Sequence, residues 1–174
     1  MSRAIDFRKQ PQFVIEEVPK SGKYLGKRIY WKLYSVENFY RIIIHSILSV
    51  QINLNWWVVA TPPPIQIKAQ RLKDDYLRTP RHSIPGNHLI YFIYLNDLNE
   101  IARSNSGLFV PLIPGIDNLV FEIEDIRLPR NIVAHMNFPN STDRQQIDDL
   151  YIYFKTVIED IQSNKDIITL KVPK

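Results

Sequence analysis

Apolar side chains return every three or four residues along most of this chain, and prolines interrupt the pattern at intervals. That repeat buries one stripe of a helix, whereas a half-buried strand alternates every second residue. Val36, Phe39 or Tyr40, Ile43, Ile47, Val50 and Leu54 mark a first long helix. Ser35 is a good N-cap for it, with Glu37 in the first turn, where the helix dipole favours an anion. The helix is expected to run to about Ala60 and to stop at Pro62-Pro63-Pro64. Those prolines suit the first turn of a second, polar helix over roughly 63–77. Residues 79–87 are turn-rich, and Leu89–Leu95 reads as an extended run or the entry to a helix. Asn96 is a good cap for a short helix over 97–103 that stops at Gly107. Asp117 opens another, with Leu119, Val120, Ile123 and Ile126 on its apolar stripe. Pro129 falls inside that pattern and should kink or divide it, because proline lacks an N–H and clashes with the preceding turn. Thr142-Asp143-Arg144-Gln145 matches a capping box. It precedes an amphipathic final helix carrying Ile147, Leu150, Tyr151, Phe154, Val157, Ile158 and Ile161.

The first 33 residues read differently. Gln12–Val18 and Arg28–Leu33 are β-favouring runs, separated by Ser21-Gly22 and Gly26, which points to a hairpin or a packed extended arm. Arg3, Arg8, Lys9, Lys20, Lys23, Lys27, Arg28 and Lys32 cluster there, and a solvated arm explains them. The expectation is an all-α bundle of about five helices over 34–165. An N-terminal arm or hairpin over 1–33 precedes it. A short tail over 166–174 follows, either an edge strand or mobile.

Composition narrows the function classes. With no cysteine, there is no disulfide framework, thiolate nucleophile or cysteine metal site. No stretch approaches the 18 or so apolar residues of a membrane span. The start, MSRAIDFRKQ, lacks the apolar core of a secretory signal, so a soluble, cytoplasmic chain is expected. The net charge of +4 permits a polyanionic partner without demanding one. None of the five glycines forms a phosphate-cradling loop.

Chemistry concentrates in Arg130-Asn131-Ile132-Val133-Ala134-His135. Asn131 and His135, four apart, share a helix face. Arg130 starts about 140° away from His135, within reach of a long side chain. Histidine titrates near neutral pH and can take the proton of a ribose 2′-hydroxyl or protonate a leaving 5′-oxygen. Arginine keeps its charge and forks onto phosphate, so it suits the transition state of RNA cleavage. Asparagine can hold the phosphate or orient the imidazole. No metal or cofactor is required. One histidine does not easily serve as both acid and base, so two copies facing each other would help. The plain alternative is an Arg130 that is solvated or salt-bridged, an Asn131 that caps the helix after Pro129, and a His135 satisfied near a helix end.

This R-x4-H pattern, between an apolar helix and an amphipathic one, resembles the signature of the HEPN superfamily of helical domains. Other marks follow in the same order. Tyr34-Ser35-Val36-Glu37-Asn38-Phe39-Tyr40-Arg41 is similar to an E-N-x-x-R opening helix, Trp56-Trp57 to a tryptophan pair, and Leu95-Asn96-Asp97-Leu98 to a step before the third helix of one HEPN branch. The resemblance covers about residues 34–160. It implies an antiparallel homodimer whose motifs meet at the interface, with RNA as substrate or ligand. Active members are metal-independent endoribonucleases that leave a 2′,3′-cyclic phosphate, in toxin–antitoxin, phage-defence and RNA-surveillance settings. An antitoxin or another protein partner is therefore an expected companion, and other members are non-catalytic RNA-binding or assembly modules. Arg130 and His135 match the signature, Asn131 the polar residue after the arginine, and Glu37 and Arg41 the opening helix. There they would support the site or simply pair across one turn.

His45 reads as a core or surface histidine. His82 and His88 flank a Pro/Gly loop, with no carboxylate or second histidine at metal-ligand spacing. Trp56 and Trp57 can stack on bases, although adjacent tryptophans at a helix end more often divide between core and interface.

Overall fold

The computed structural model describes residues 6–12, 14–163 and 168–174. Among them there are helices and connecting loops and no strand. Arg3 of the basic cluster and Asp166 at the start of the tail lie outside the described residues.

The helices, in order, are α1 (Glu17–Leu25), α2 (Trp31–Gln51), α3 (Trp56–Ala60), α4 (Pro63–Leu77), α5 (Leu95–Ser104), α6 (Ser106–Phe109), α7 (Ile116–Asp125), α8 (Arg127–Ala134) and α9 (Ser141–Ser163). A single wide π turn, Gly26–Tyr30, joins α1 to α2, and a 3-10 turn, Leu89–Phe92, precedes α5. The centre is α2, whose Val36, Tyr40, Ile43, Ile44, Ile47 and Leu48 are fully buried. It packs on α9, which buries Ile147, Leu150, Phe154, Val157 and Ile161. Tyr40 meets Phe154 edge to face at 5.5 Å, and its hydroxyl donates to Asn99 of α5 at 3.1 Å. Asn99 in turn donates to the Val120 carbonyl of α7 at 3.0 Å, so one buried polar chain ties three helices together.

The N-terminal hairpin is replaced by helix. Within the first 33 residues, irregular chain is confined to the described residues before Glu17, where one 3-10 turn stands at Phe7–Lys9. The reason is burial. Leu25, Ile29, Leu33, Val36 and Tyr40 follow one another at steps of three and four and face the core together. Trp31 packs edge-on against Tyr151 of α9, and Lys32 pairs with Asp148 there. Tertiary packing outweighs the β preference of Ile29–Trp31. Pro19 sits in the first turn of α1, where its missing N–H costs nothing. Ser35 is consequently not a cap. It lies inside the helix, and its hydroxyl donates back to the Trp31 carbonyl at 2.8 Å.

Other boundaries shift for local reasons. α2 ends at Gln51 rather than near Ala60, because Asn53 turns the chain by accepting the Asn55 N–H at 2.7 Å. This leaves Val50 and Leu54 exposed instead of on the buried stripe. α4 begins at Pro63, as its prolines predict. α5 is capped earlier than Asn96, since the Asp97 carboxylate accepts the Tyr94 N–H at 2.9 Å. The capping box of α9 is Asn140 and Asp143, which exchange backbone–side-chain hydrogen bonds at 2.9 and 3.0 Å. Pro129 does divide the apolar pattern. α7 stops at Asp125, and α8 restarts at Arg127, so the proline falls in a first turn. The tail forms no strand over 168–174. It is pinned to α2, where Ser46 Oγ accepts the Lys171 N–H at 2.8 Å.

Candidate functional site

Arg130 is the fourth residue of α8, and its backbone N–H closes the first hydrogen bond after Pro129, to the Ile126 carbonyl at 2.9 Å. Its guanidinium points towards α2, where Nη2 lies 3.8 Å from Glu37 Oε2. Nη1 donates to the neighbouring Asn131 Oδ1 at 3.4 Å. Glu37 is shared, because its other oxygen accepts from Arg41 one turn along α2. Arg130, Glu37 and Arg41 thus form a cation–anion–cation row across two helices.

The two arginines have different freedom. Arg41 is buried, and its donors are committed to the Ile90 carbonyl (3.2 Å), the Ile93 carbonyl (3.0 Å), Asn38 (3.3 Å) and Glu37. It fixes the 3-10 turn to α2 and holds Glu37 in place. Arg130 has only the long ion pair and one marginal hydrogen bond, so most of its donors remain for a ligand. Glu37, clasped between two guanidiniums, is an orienting group.

These side chains line an open groove of about 970 Å³. One wall is the last residue of the π turn, Tyr30, and α2, with Tyr34, Glu37 and Arg41; another is the loop around Gly86 and Tyr91; α8 and the tail at Pro173 complete it. Gly86 has to be glycine on steric grounds, because a Cβ there would fall 2.4 Å from Cδ2 of Tyr91. Tyr91 is held from two further sides. Its hydroxyl donates to the Pro173 carbonyl at 3.1 Å, and Arg41 lies 6.0 Å from its ring centre. Burial raises the Tyr91 phenol above its ordinary value, with Arg41 opposing the shift and Tyr34 adding to it.

His135 is elsewhere. It is the C-cap of α8, exposed, and its ring is not part of the groove lining. Its backbone is well held: the N–H bonds the Asn131 carbonyl at 3.0 Å, and its carbonyl accepts from Asn137 at 3.2 Å. The helix ends in a Schellman arrangement, with Asn137 N–H on the Ile132 carbonyl at 2.8 Å and Met136 N–H on the Val133 carbonyl at 3.0 Å. Met136 takes the left-handed position at φ 58°. Of the residues singled out by sequence, the structure therefore unites Arg130, Asn131, Glu37 and Arg41. It sets His135 apart, on solvent, at the end of the same short helix. Tyr34 was visible only as part of a motif, and Tyr91, Gly86 and Met136 were not singled out. Their roles depend on contacts between distant segments, although Tyr30, Tyr34, Glu37 and Arg41 do stand at helical spacing.

Trp56 and Trp57 are both buried, so neither ring is free to stack on a base. Trp56 donates from Nε1 to His45 Nδ1 at 3.2 Å and stacks on His88 at 5.4 Å. His88 turns inward from its loop, and its Nδ1 accepts the Ile90 N–H at 3.1 Å. Burial pushes His88 down to about 4, helped by His45 and Lys73, and burial also lowers His45. Both are packing histidines. Among the described residues no group of three or more His, Asp or Glu side chains is placed to hold a metal ion, and no helix is long and apolar enough to cross a membrane. Compared with family models, curated proteins and solved structures, the chain matches none.

Proposed function

We propose that this chain is a metal-independent endoribonuclease of the HEPN type, acting as a homodimer. The observation that carries the reading is the division of labour on α8. An under-committed Arg130 faces a groove, oriented by Glu37, while His135 stands exposed at the helix end. A second copy is required because the imidazole does not share the groove with Arg130 in one chain. In the dimer, Arg130 stabilises the charge that builds on the scissile phosphate. One His135 takes the proton of the 2′-hydroxyl as that oxygen attacks phosphorus. The other gives a proton to the 5′-oxygen as its bond to phosphorus breaks. The products are a 2′,3′-cyclic phosphate and a 5′-hydroxyl, with no net redox change.

Purified protein incubated with structured RNA and EDTA should cut it and leave cyclic phosphate ends. His135→Ala should lose about 100-fold or more in rate, the usual scale for a proton-transfer group. Absence of cutting by the wild type, or equal cutting by both proteins, would sink the reading. The placement of His135 outside the groove favours one second reading, a non-catalytic module that binds RNA or a protein partner such as an antitoxin. In that case Arg130→Ala weakens binding and neither protein cuts.

A further inference from the structure

The groove beside Arg130 has a wall that bond cleavage does not use. Tyr30 and Tyr34 stand one turn apart on the long helical path, 56% and 64% exposed, and both line the groove. Rings of this size left in water are potential contact surface, apolar on the face and polar at the tip. Tyr91 lines the same groove from the 3-10 turn, immobilised by Gly86, Arg41 and Pro173. The cations in the lining with donors to spare are Arg130 and Lys174, and the acid, Glu37, is already engaged by Arg41 and Arg130. The groove therefore offers flat aromatic faces next to uncommitted positive charge.

An occupant has to answer both features. A peptide with acidic residues answers the charge but leaves the rings without a flat partner. A base-paired nucleotide carries phosphate but keeps its base faces inside the stack. An unpaired nucleotide supplies an accessible base face and a phosphate a short distance apart, and the volume admits it with its neighbour. We propose that this groove is a subsite for an unpaired nucleotide, its base stacked on Tyr34 and its phosphate drawn to Arg130. The inference rests on the reading of the site as one that handles RNA, and adds that the strand is single there.

The test separates the two claims by using a probe that cannot be cut. A fluorescent single-stranded oligodeoxythymidylate lacks the 2′-hydroxyl, so anisotropy reads binding alone. The full chain should bind it more tightly than a blunt DNA duplex of the same length. Tyr34→Ala should raise Kd by about 5–100-fold, whereas Tyr34→Phe should stay within about twofold, because stacking depends on the ring. Tyr94→Ala, an exposed tyrosine outside the groove, should leave Kd unchanged. No binding of the single strand, equal binding of the duplex, or wild-type affinity in Tyr34→Ala would overturn the proposal. RNA cleavage with any of those results leaves the nuclease reading standing alone. Tyr34-dependent binding without RNA cleavage leaves the subsite standing alone.

Discussion

Met136 is the only non-glycine with a positive φ among the described residues, and it immediately follows His135. The left-handed conformation costs an L-residue with a Cβ roughly 1 kcal/mol or more. It is tolerated here because two carbonyls at the end of α8 are satisfied only if the chain reverses at that point. The turn sets where the His135 ring projects, so strain is spent next to the residue proposed to move protons. Met136→Gly should relieve it and raise stability by about 0.5–1 kcal/mol, seen as a higher melting temperature. A melting temperature equal to or below the wild type would mean the side chain, 80% exposed on the groove rim, contributes packing that outweighs the strain. No sequence signal marks this position, because glycine or asparagine is the usual residue at such a cap. The Glu37–Arg41 pair, by contrast, is legible from its (i, i+4) spacing alone. Its extension to Arg130 is not, since that requires knowing that α2 and α8 are neighbours.

At the scale of elements, helical periodicity was a sound guide wherever one face is buried. α4, α7 and α9 lie where their apolar stripes and prolines place them. Residue type misleads over 17–33: the β-branched and aromatic residues there favour strand by kind, but they stand at helical spacing and are helical. Gly22 and Gly26 carry a turn signal in the sequence, yet Gly22 lies inside α1 and Gly26 is helical at φ −58°. Local turn chemistry decided the rest: Asn53 cut α2 short, and Asn140 moved the start of α9. The junction of α2, α3 and the 3-10 turn carries a testable pH dependence. His88 titrates near 4 when folded and near its ordinary 6.5 when unfolded. The unfolded chain therefore binds the extra proton between those values. Stability is full above pH 6.5 and is lost as pH falls towards 4. Allowing for the solvent that reaches part of the ring, the loss is about 1–2 kcal/mol. His88→Asn keeps an acceptor for the Ile90 N–H and removes the titration, so melting temperatures measured from neutral to acid pH should fall less steeply than in the wild type. Parallel curves would show that this imidazole does not govern the acid limb.

For the whole molecule, the separation of His135 from the groove makes copy number the decisive question. A nuclease site built within each chain, and a site shared by two chains that needs both imidazoles, respond differently to mixing. Suppose wild type and His135→Ala are unfolded together in equal amounts, refolded, and allowed to pair at random. If each chain cuts independently, activity falls to about half that of the same quantity of wild type. If one cleft needs two His135 side chains, only wild-type pairs cut, and activity falls to about a quarter, because pairing of equal populations gives each homodimer that share. The curve against mutant fraction is then quadratic instead of linear. The variant is suited to this use, because His135 is exposed and only its backbone makes structural hydrogen bonds, so the fold should persist. A quadratic fall, together with a dimer in sedimentation at the assay concentration, is the outcome expected from the geometry of α8. A linear fall would place acid and base within one chain and require a second proton-transfer group besides His135.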